Sequence, residues 1–81
     1  MIVRIRLGNS LARLAPAPVL GLELPDGANV DDLYDDLARR TPALAPALPS
    51  ALPLLDGQHV DRGRALAHGQ EIALLTPAAG G

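Results

Sequence analysis

The segment Asn29–Pro42, with the sequence NVDDLYDDLARRTP, carries the clearest indication of secondary structure in the chain. Asn29 is a favourable N-cap residue, and Asp32 follows three positions later, where its carboxylate can accept the N-cap N–H in a capping box. Apolar residues recur with the spacing of one helix face, at positions 30, 33, 34, 37 and 38. The aspartates lie in the N-terminal half and two arginines at the C-terminal end, as the helix dipole favours. The segment therefore predicts a helix of about three turns that ends at Thr41-Pro42.

Two strands are predicted before this helix. Val3, Ile5 and Leu7 alternate with arginines, which is the period-2 pattern of a strand with one buried face. Residues 8–10 follow as a predicted turn, and a second short strand fits residues 18–24. A Pro-Asp-Gly sequence then provides the turn residues that end the second strand.

Three further strands are predicted after the helix. The proline-rich segment 41–53 is interpreted as a connection that packs a few leucines onto the core. Residues 54–60 have the pattern of a hairpin, with Asp56-Gly57 at its turn. Residues 71–75 alternate between two faces and form the last strand.

The order of these elements is strand, strand, helix, strand, short strand, strand, which is typical of an α+β fold. Periodicity alone does not determine which strands pair. A right-handed crossover through the helix would place the first and last strands side by side and parallel.

The composition excludes several classes of function. The 81 residues correspond to one domain, and a net charge of −2 with scattered arginines argues against nucleic-acid binding. No apolar run approaches the roughly 20 residues that cross a bilayer, and the alternating N-terminus lacks the apolar block of a signal peptide. We therefore expect a cytoplasmic protein that binds neither nucleic acid nor membrane. The sequence has no cysteine and no lysine, which excludes disulfides, thiolate metal sites and Schiff-base chemistry.

Several stretches of the chain resemble the MoaD/ThiS family of ubiquitin-like sulfur carriers. Residues 3–14 resemble the opening strand of the family and its leucine-rich turn, and residues 27–33 resemble its helix entry. Residues 55–60 are similar to its VNG hairpin, and residues 66–75 to its LxDGDEV approach to the final strand. The tail at residues 77–81, PAAGG, is similar to the PPVxGG end of the small subunit of molybdopterin synthase.

The chain departs from the family pattern at single positions. Asn29 stands where threonine is more usual, and Asp56 replaces the asparagine of the hairpin. His68 and Gln70 stand where aspartate is typical, and Thr76 replaces the first proline of the tail pattern.

The resemblance implies a β-grasp fold, with a mixed sheet of four to five strands and one main helix. Residues 1–76 would form this domain, and residues 77–81 would form a flexible C-terminal tail that ends in Gly-Gly.

The resemblance also implies that the chain is a carrier and not an enzyme. The carboxylate of Gly81 would be adenylated by a ubiquitin-activating-enzyme-like adenylyltransferase that uses ATP, and a sulfur donor such as a desulfurase or a rhodanese would convert it to a thiocarboxylate. The large subunit of molybdopterin synthase, or another sulfur-accepting enzyme, would receive the sulfur. The tail residues that would thread into the partner's active site are Gly80, Ala79, Ala78 and Pro77. A glycine backbone fits a narrow channel because it has no side chain. No catalytic side chain, stably bound cofactor or metal is expected.

An apolar docking surface is expected on the last strand and on the hairpin before it. Leu75 alternates with the inward Leu74 and should therefore point outward. Leu54 resembles, by its position before the hairpin turn, the residue at the centre of the apolar patch of ubiquitin. Exposed apolar residues on adjacent strands form protein-binding surfaces. The alternative is that segment 41–53 covers both side chains.

The polar residues indicate solvated surface. His59 and His68 are isolated and fall on predicted turns or edges. The aspartates at positions 31, 32, 35 and 36 are spread around the helix and not gathered at one point, which favours a solvated helix face over a metal site.

Other functions remain open at this point. The same tail would serve a sulfur carrier for thiamine, cysteine, tRNA thiolation or thio-metabolite synthesis. Alternatives of another class are a ubiquitin-like protein modifier, joined to its target through Gly81, and a non-covalent interaction module.

Overall fold

The computed structural model describes residues 1–77. The strands are β1 (Ile2–Leu7), β2 (Val19–Glu23), β3 (Leu52–Leu55), β4 (Gln58–His59) and β5 (Glu71–Leu75). The helices are α1 (Asn9–Ala12) and α2 (Val30–Arg40), and two 3-10 turns, Pro42–Leu44 and Leu48–Ser50, follow α2. The predicted order of strands around one main helix is confirmed. Residues 8–10 were expected to form a turn, but residues 9–12 form α1, which buries the side chain of Leu11.

The five strands form one mixed sheet in the order β2-β1-β5-β3-β4. β1 pairs antiparallel with β2 and parallel with β5, and β5 pairs antiparallel with β3. The first and last strands therefore lie side by side and parallel, as a crossover through α2 permits. This sheet with one main helix is the β-grasp arrangement that the resemblance implied.

Helix α2 begins and ends as its sequence predicts. Asn29 Oδ1 accepts a hydrogen bond from the Asp32 N–H at 2.9 Å, and Asp32 Oδ2 accepts one from the Asn29 N–H at 2.9 Å, which completes the capping box. Arg39 and Arg40 occupy the last turn. The helix ends before Pro42, which has no N–H to continue the helical ladder.

The core of the domain is aliphatic, with one tyrosine. Its most completely buried side chains come mainly from β1, α2 and β5: Val3, Ile5, Leu11, Val30, Leu33, Leu37, Leu44, Ile72 and Leu74. Leu44 and Leu48 belong to the proline-rich segment 41–53, so this segment adds leucines to the core as predicted.

Tyr34 connects α2 to the residues before β3. Its hydroxyl donates a hydrogen bond to the carbonyl oxygen of Ala51 at 2.8 Å. The guanidinium carbon of Arg62 lies 3.7 Å from the ring centroid. Burial raises the pKa of Tyr34 to about 12, although the nearby charge of Arg62 acts in the opposite direction. The fold therefore keeps this phenol neutral above pH 10, where a free tyrosine ionises.

The β3–β4 hairpin has the predicted turn but an earlier start. Asp56 and Gly57 both have positive φ, 51° and 77°, as a type I′ turn requires. β3 begins at Leu52, inside the segment that was expected as a connection, and so it includes Pro53. The carbonyl oxygen of Pro53 accepts a hydrogen bond from the Val60 N–H at 3.1 Å. The nitrogen of Pro53, which carries no hydrogen, therefore points toward the β4 side of the strand. Because β4 has already ended at this position, β3 tolerates the proline.

The prediction that all four aspartates of α2 are solvated is wrong for Asp36. Asp36 is only 6% exposed. Its two carboxylate oxygens accept hydrogen bonds from Arg39 and Arg40, each at 2.7 Å. The partners stand three and four residues later, so they lie beside Asp36 on the helix and neutralise its charge in the buried position. The other three aspartates of the helix are exposed.

Candidate functional site

Most of the predicted reactive end of the chain lies outside the described residues. This part comprises Ala78, Ala79, Gly80 and Gly81. Pro77 is the last described residue, and it is exposed. The structure does describe the point at which the chain leaves the sheet, because β5 ends at Leu75 between its neighbours β1 and β3.

Four apolar side chains, which we call the β3–β5 patch, share the outer face of the sheet. Leu52 lies opposite Leu75, and Leu54 lies opposite Ala73. Opposed residues of antiparallel strands project from the same face, and the residues between them are buried in the core. Leu52 and Leu75 are each 42% exposed, and Leu54 and Ala73 are partly exposed.

The structure places the two predicted docking residues, Leu54 and Leu75, on this one patch. Segment 41–53 does not bury Leu75. It instead contributes Leu52 to the same face. Sequence reasoning missed Leu52, although its i, i+2 spacing from Leu54 was the signal of a shared strand face.

Gly8 lets the Leu75 side chain lie against the end of β1. A Cβ atom added at Gly8 would come within 3.0 Å of Leu75 Cδ2. The Gly8 N–H also donates to the Leu74 carbonyl oxygen at 2.9 Å, so the two segments are in direct contact. A larger residue at position 8 would therefore require the end of the Leu75 side chain to shift.

Charged and polar side chains border the patch. Arg6 is the neighbour of Ala73 in the parallel pairing of β1 with β5, and its Nε lies 3.2 Å from Glu71 Oε2. His59 lies opposite Leu54 on the other side. An apolar centre with a polar rim is the usual composition of a protein-binding surface.

The polar residues outside the patch do not converge on one point. Within residues 1–77, no three His, Cys, Asp or Glu side chains are grouped so that they could hold a metal ion. His59 and His68 are exposed, as predicted, and His68 Nδ1 accepts a hydrogen bond from the Ile2 N–H at 3.0 Å. Among the described helices, none has the length and apolar character needed to span a membrane.

A family model described as ThiS family matches residues 9–81 of the chain. The match covers most of the sequence and includes both terminal glycines. No curated protein matches the chain.

The chain is also similar to solved structures of small proteins. SAMP1, the small archaeal modifier protein 1 of Haloferax volcanii, is 27% identical, with a TM-score of 0.90 and coverage of 100% of both chains. A chain in the complex of subunits 1 and 2 of the molybdopterin-converting factor from Helicobacter pylori is 21% identical, with a TM-score of 0.73 and coverage of 100% of both chains. The ubiquitin of Caldiarchaeum subterraneum is 16% identical, with a TM-score of 0.65, and the alignment covers 100% of this chain and 98% of that one. At these lower identities the last two comparisons establish a shared fold.

Proposed function

The chain belongs to the ThiS family, and we propose that it is a sulfur carrier whose C-terminal Gly81 is adenylated and then converted to a thiocarboxylate. The observation that carries this proposal is the family match, which runs through the β-grasp domain to the Gly80-Gly81 pair. The protein is a small ubiquitin-like carrier or modifier and not a typical enzyme. Its reactive group would be a chain end that other proteins activate.

The proposed chemistry takes place at the main chain of Gly81. In the first step a carboxylate oxygen attacks the α-phosphorus of ATP on the activating enzyme, and pyrophosphate leaves. In the second step the outer sulfur of a cysteine persulfide on a desulfurase or a rhodanese attacks the acyl carbon, and AMP leaves with the electron pair of the broken C–O bond. A thiol reductant then supplies two electrons that cleave the S–S bond, which releases the thiocarboxylate and the donor's cysteine. Glycines have no Cβ atom, so Gly80 and Gly81 place no side chain between the acyl carbon and these groups.

We assign the delivery of this group to a tail of residues 77–81. When extended, these residues span at most about 17 Å. That length lets the carboxylate enter a partner's active site while the β-grasp domain, which we place at residues 1–76, stays outside.

The β3–β5 patch is the proposed docking surface for the partner. Leu75 belongs to the patch and precedes Pro77 by two residues. A partner that covers Leu75 and Leu54 would therefore lie beside the start of the tail. Rigid docking next to the tail would limit the space that the acyl group must search.

We further propose that the sulfur-accepting partner is the large subunit of molybdopterin synthase, in the cytoplasm. The fold shared with a chain of the subunit 1 and subunit 2 complex of the molybdopterin-converting factor supports this choice. Sulfur delivery for thiamine, cysteine, tRNA thiolation or thio-metabolite synthesis would use the same tail and is the alternative within this class.

A second candidate function is that of a protein modifier. The 27% identity to SAMP1, over the whole of both chains, favours it, since that protein is called a small archaeal modifier protein. In this case the activated Gly81 would be attacked by a lysine amine of another protein, and an isopeptide bond would replace the bond to AMP. The chain has no lysine of its own to accept such a bond.

Intact-mass spectrometry separates these functions. The purified protein is incubated with ATP, the activating enzyme and a sulfide source. A sulfur carrier should gain the mass of one sulfur-for-oxygen exchange, a modifier should become attached to a second protein, and an interaction module should keep its mass.

Variants of the glycines provide the controls. Deletion of Gly81 should abolish both covalent products, and Gly81→Ala, which keeps the carboxylate but adds a Cβ, should slow adenylation. Gly63→Ala adds a Cβ to the domain where no atom lies within 4 Å, so it should react like the wild type. An unchanged mass under conditions in which another family member is thiocarboxylated would contradict the sulfur-carrier function.

A further inference from the structure

Strand β2 forms one edge of the sheet, and half of its main-chain polar groups face away from the sheet. Among the residues that the structure describes, β2 pairs only with β1. In line with this pairing, Met1 and Leu24 exchange two hydrogen bonds of 2.8 Å. Because bonded residues alternate along an antiparallel pair, the even-numbered residues of β2 bond to β1. The N–H and C=O groups that point to the open edge are therefore those of Val19, Gly21 and Glu23.

Nothing in residues 1–77 pairs with this edge. Natural sheets protect their edges with inward charges, prolines, bulges or a covering element. In this chain the prolines stand at the flanks of β2, at positions 18 and 25, so the strand between them keeps its outward donors. Gly21 is exposed, and a Cβ atom added there would meet no atom within 4 Å. The edge is thus open to main-chain pairing with an extended segment.

A groove begins at the C-terminal end of this edge, at Glu23, and lies between the loop that follows β2 and helix α2. The buried residues Leu24 and Ala28 line it on the loop side. The helix side consists of Asp32, Asp35, Asp36, Arg39 and Arg40. Positions 32, 35, 36 and 39 lie on one face of the helix, so the groove follows α2. A strand added to β2 would direct every second side chain toward the α2 side of the sheet, where this groove lies.

The groove has an excess of negative charge. Five carboxylates line it, but only two guanidinium groups. Both guanidinium groups, those of Arg39 and Arg40, bind Asp36 at 2.7 Å, so they are already engaged by a single carboxylate. Asp35 is exposed and forms no ion pair with any residue in the described part of the chain. The groove therefore favours positively charged side chains.

We propose that the β2 edge and this groove bind an extended, basic segment of another protein, which adds a sixth strand to the sheet. The main-chain groups of the edge would hold the segment, and arginine or lysine at alternate positions would face Asp32 and Asp35. A second copy of this chain fits less well. If β2 paired with its copy about a two-fold axis, the acidic faces of two α2 helices would be brought toward each other.

This site is separate from the β3–β5 patch, and the inference goes beyond the proposed sulfur-carrier function. β1 lies between β2 and β5, which puts about 10 Å, or two strand spacings, between the edge and the last strand. The protein could hold a basic segment at its edge while the outer face contacts a second partner. Loss of one interaction would leave the other intact, so each can fail by itself in an experiment.

The test is an NMR titration of the ¹⁵N-labelled protein with the acetylated and amidated heptapeptide TRVRVRT. We expect saturable shifts and slower hydrogen exchange at the amides of Val19, Gly21 and Glu23, and no comparable change at Leu52 or Leu75. Added salt should weaken the binding because the attraction is between exposed charges. The peptide TEVEVET, with the same alternation and the opposite charge, should not bind.

Two variants test the two parts of the site. Gly21→Pro removes one outward N–H but no hydrogen bond to β1, and edge strands tolerate such a proline. It should weaken binding of the peptide roughly tenfold. Gly21→Ala keeps the N–H, places its Cβ in open space and is the matched control that should bind like the wild type. Asp35→Lys should weaken binding about fivefold through charge alone. A peptide with all interior amides N-methylated tests main-chain pairing even if Gly21→Pro does not fold.

Three results would each overturn the proposal. The first is unchanged exchange at the three edge amides in the presence of TRVRVRT. The second is equal binding of the basic and the acidic peptide. The third is dimerisation of the free protein in analytical ultracentrifugation that Gly21→Pro abolishes, since the occupant of the edge would then be a second copy.

Discussion

Replacement of Tyr34 by phenylalanine tests the connection between α2 and the residues before β3. The Tyr34 side chain is buried, with 3% exposure, and its hydroxyl donates to the Ala51 carbonyl oxygen at 2.8 Å. Phenylalanine keeps the ring beneath Arg62 but removes this donor. An unpaired buried acceptor costs about 1–3 kcal/mol. We therefore expect Tyr34→Phe to lower the free energy of unfolding by this amount at neutral pH, measured by urea denaturation.

The same substitution should change the dependence of stability on pH. Burial holds the pKa of Tyr34 at about 12 in the folded protein, above the value of 10.0 of a free tyrosine. Below the lower value the phenol is neutral in both states, so it does not affect the pH dependence. Between the two values the unfolded chain loses a proton that the folded chain keeps. The free energy of unfolding then falls by about 1.4 kcal/mol per pH unit, or about 2–3 kcal/mol in total.

Tyr34 is the sole tyrosine of the sequence, so the absorbance of tyrosinate reports this group alone. We expect a titration midpoint of about 12 in the folded protein and of about 10 in urea. Arg62→Gln removes the nearby charge that lowers the pKa, so the folded midpoint should rise further. Tyr34→Phe should lack the alkaline loss of stability. A folded midpoint equal to that in urea, or the same alkaline stability curve for wild type and Tyr34→Phe, would refute the reasoning.

Three further substitutions test the helix cap, the core and the patch. Asn29→Ala removes the acceptor for the Asp32 N–H and should lower the free energy of unfolding by about 1 kcal/mol in urea denaturation, whereas Asn29→Asp keeps an acceptor and should change it little. Leu74→Ala truncates a fully buried side chain and should lower the free energy of unfolding by about 2–5 kcal/mol, measured by thermal denaturation. A loss well below this range would contradict the place of Leu74 in the core. Leu75→Asp should weaken binding to the proposed partner, the large subunit of molybdopterin synthase, roughly tenfold in calorimetry, with a stability change of about 0.5 kcal/mol or less. Ile2→Asp, at an apolar residue that is 49% exposed outside the patch, is its control and should bind normally.

The local elements of this fold follow from the sequence because each depends on residues only a few positions apart. The capping box needs Asn29 and Asp32 at a fixed spacing, and both bonds are formed. The hairpin turn needs two residues that accept positive φ, which Asp56 and Gly57 do. The parallel pairing of β1 with β5 follows less directly from the sequence. It rests on the right-handed crossover, which is a general property of such connections.

The full membership of the patch was not predicted, because it depends on where β3 begins and on its register with β5. Alternation placed Leu75 on the outer face, and the structure agrees. Only the pairing of β3 with β5 brings Leu52 opposite Leu75. A shift of one residue would have turned Leu52 to the core and exposed Pro53.

The surroundings of the charged side chains were predicted least well from the sequence, because they depend on which residues lie across from each charge. The spacing of Asp36 from Arg39 and Arg40 is that of ion pairs along one helix face, a signal that the sequence-based prediction did not use. Asp36 lines the groove together with the loop after β2, which is distant in sequence, so its surroundings cannot be read from the helix alone. The proposed chemistry of Gly80-Gly81 does not depend on contacts with distant segments, because residues without side chains act through their backbone. Motif order therefore predicts the proposed reactive end, whereas the surfaces proposed to select its partners depend on strand register and on contacts between distant segments.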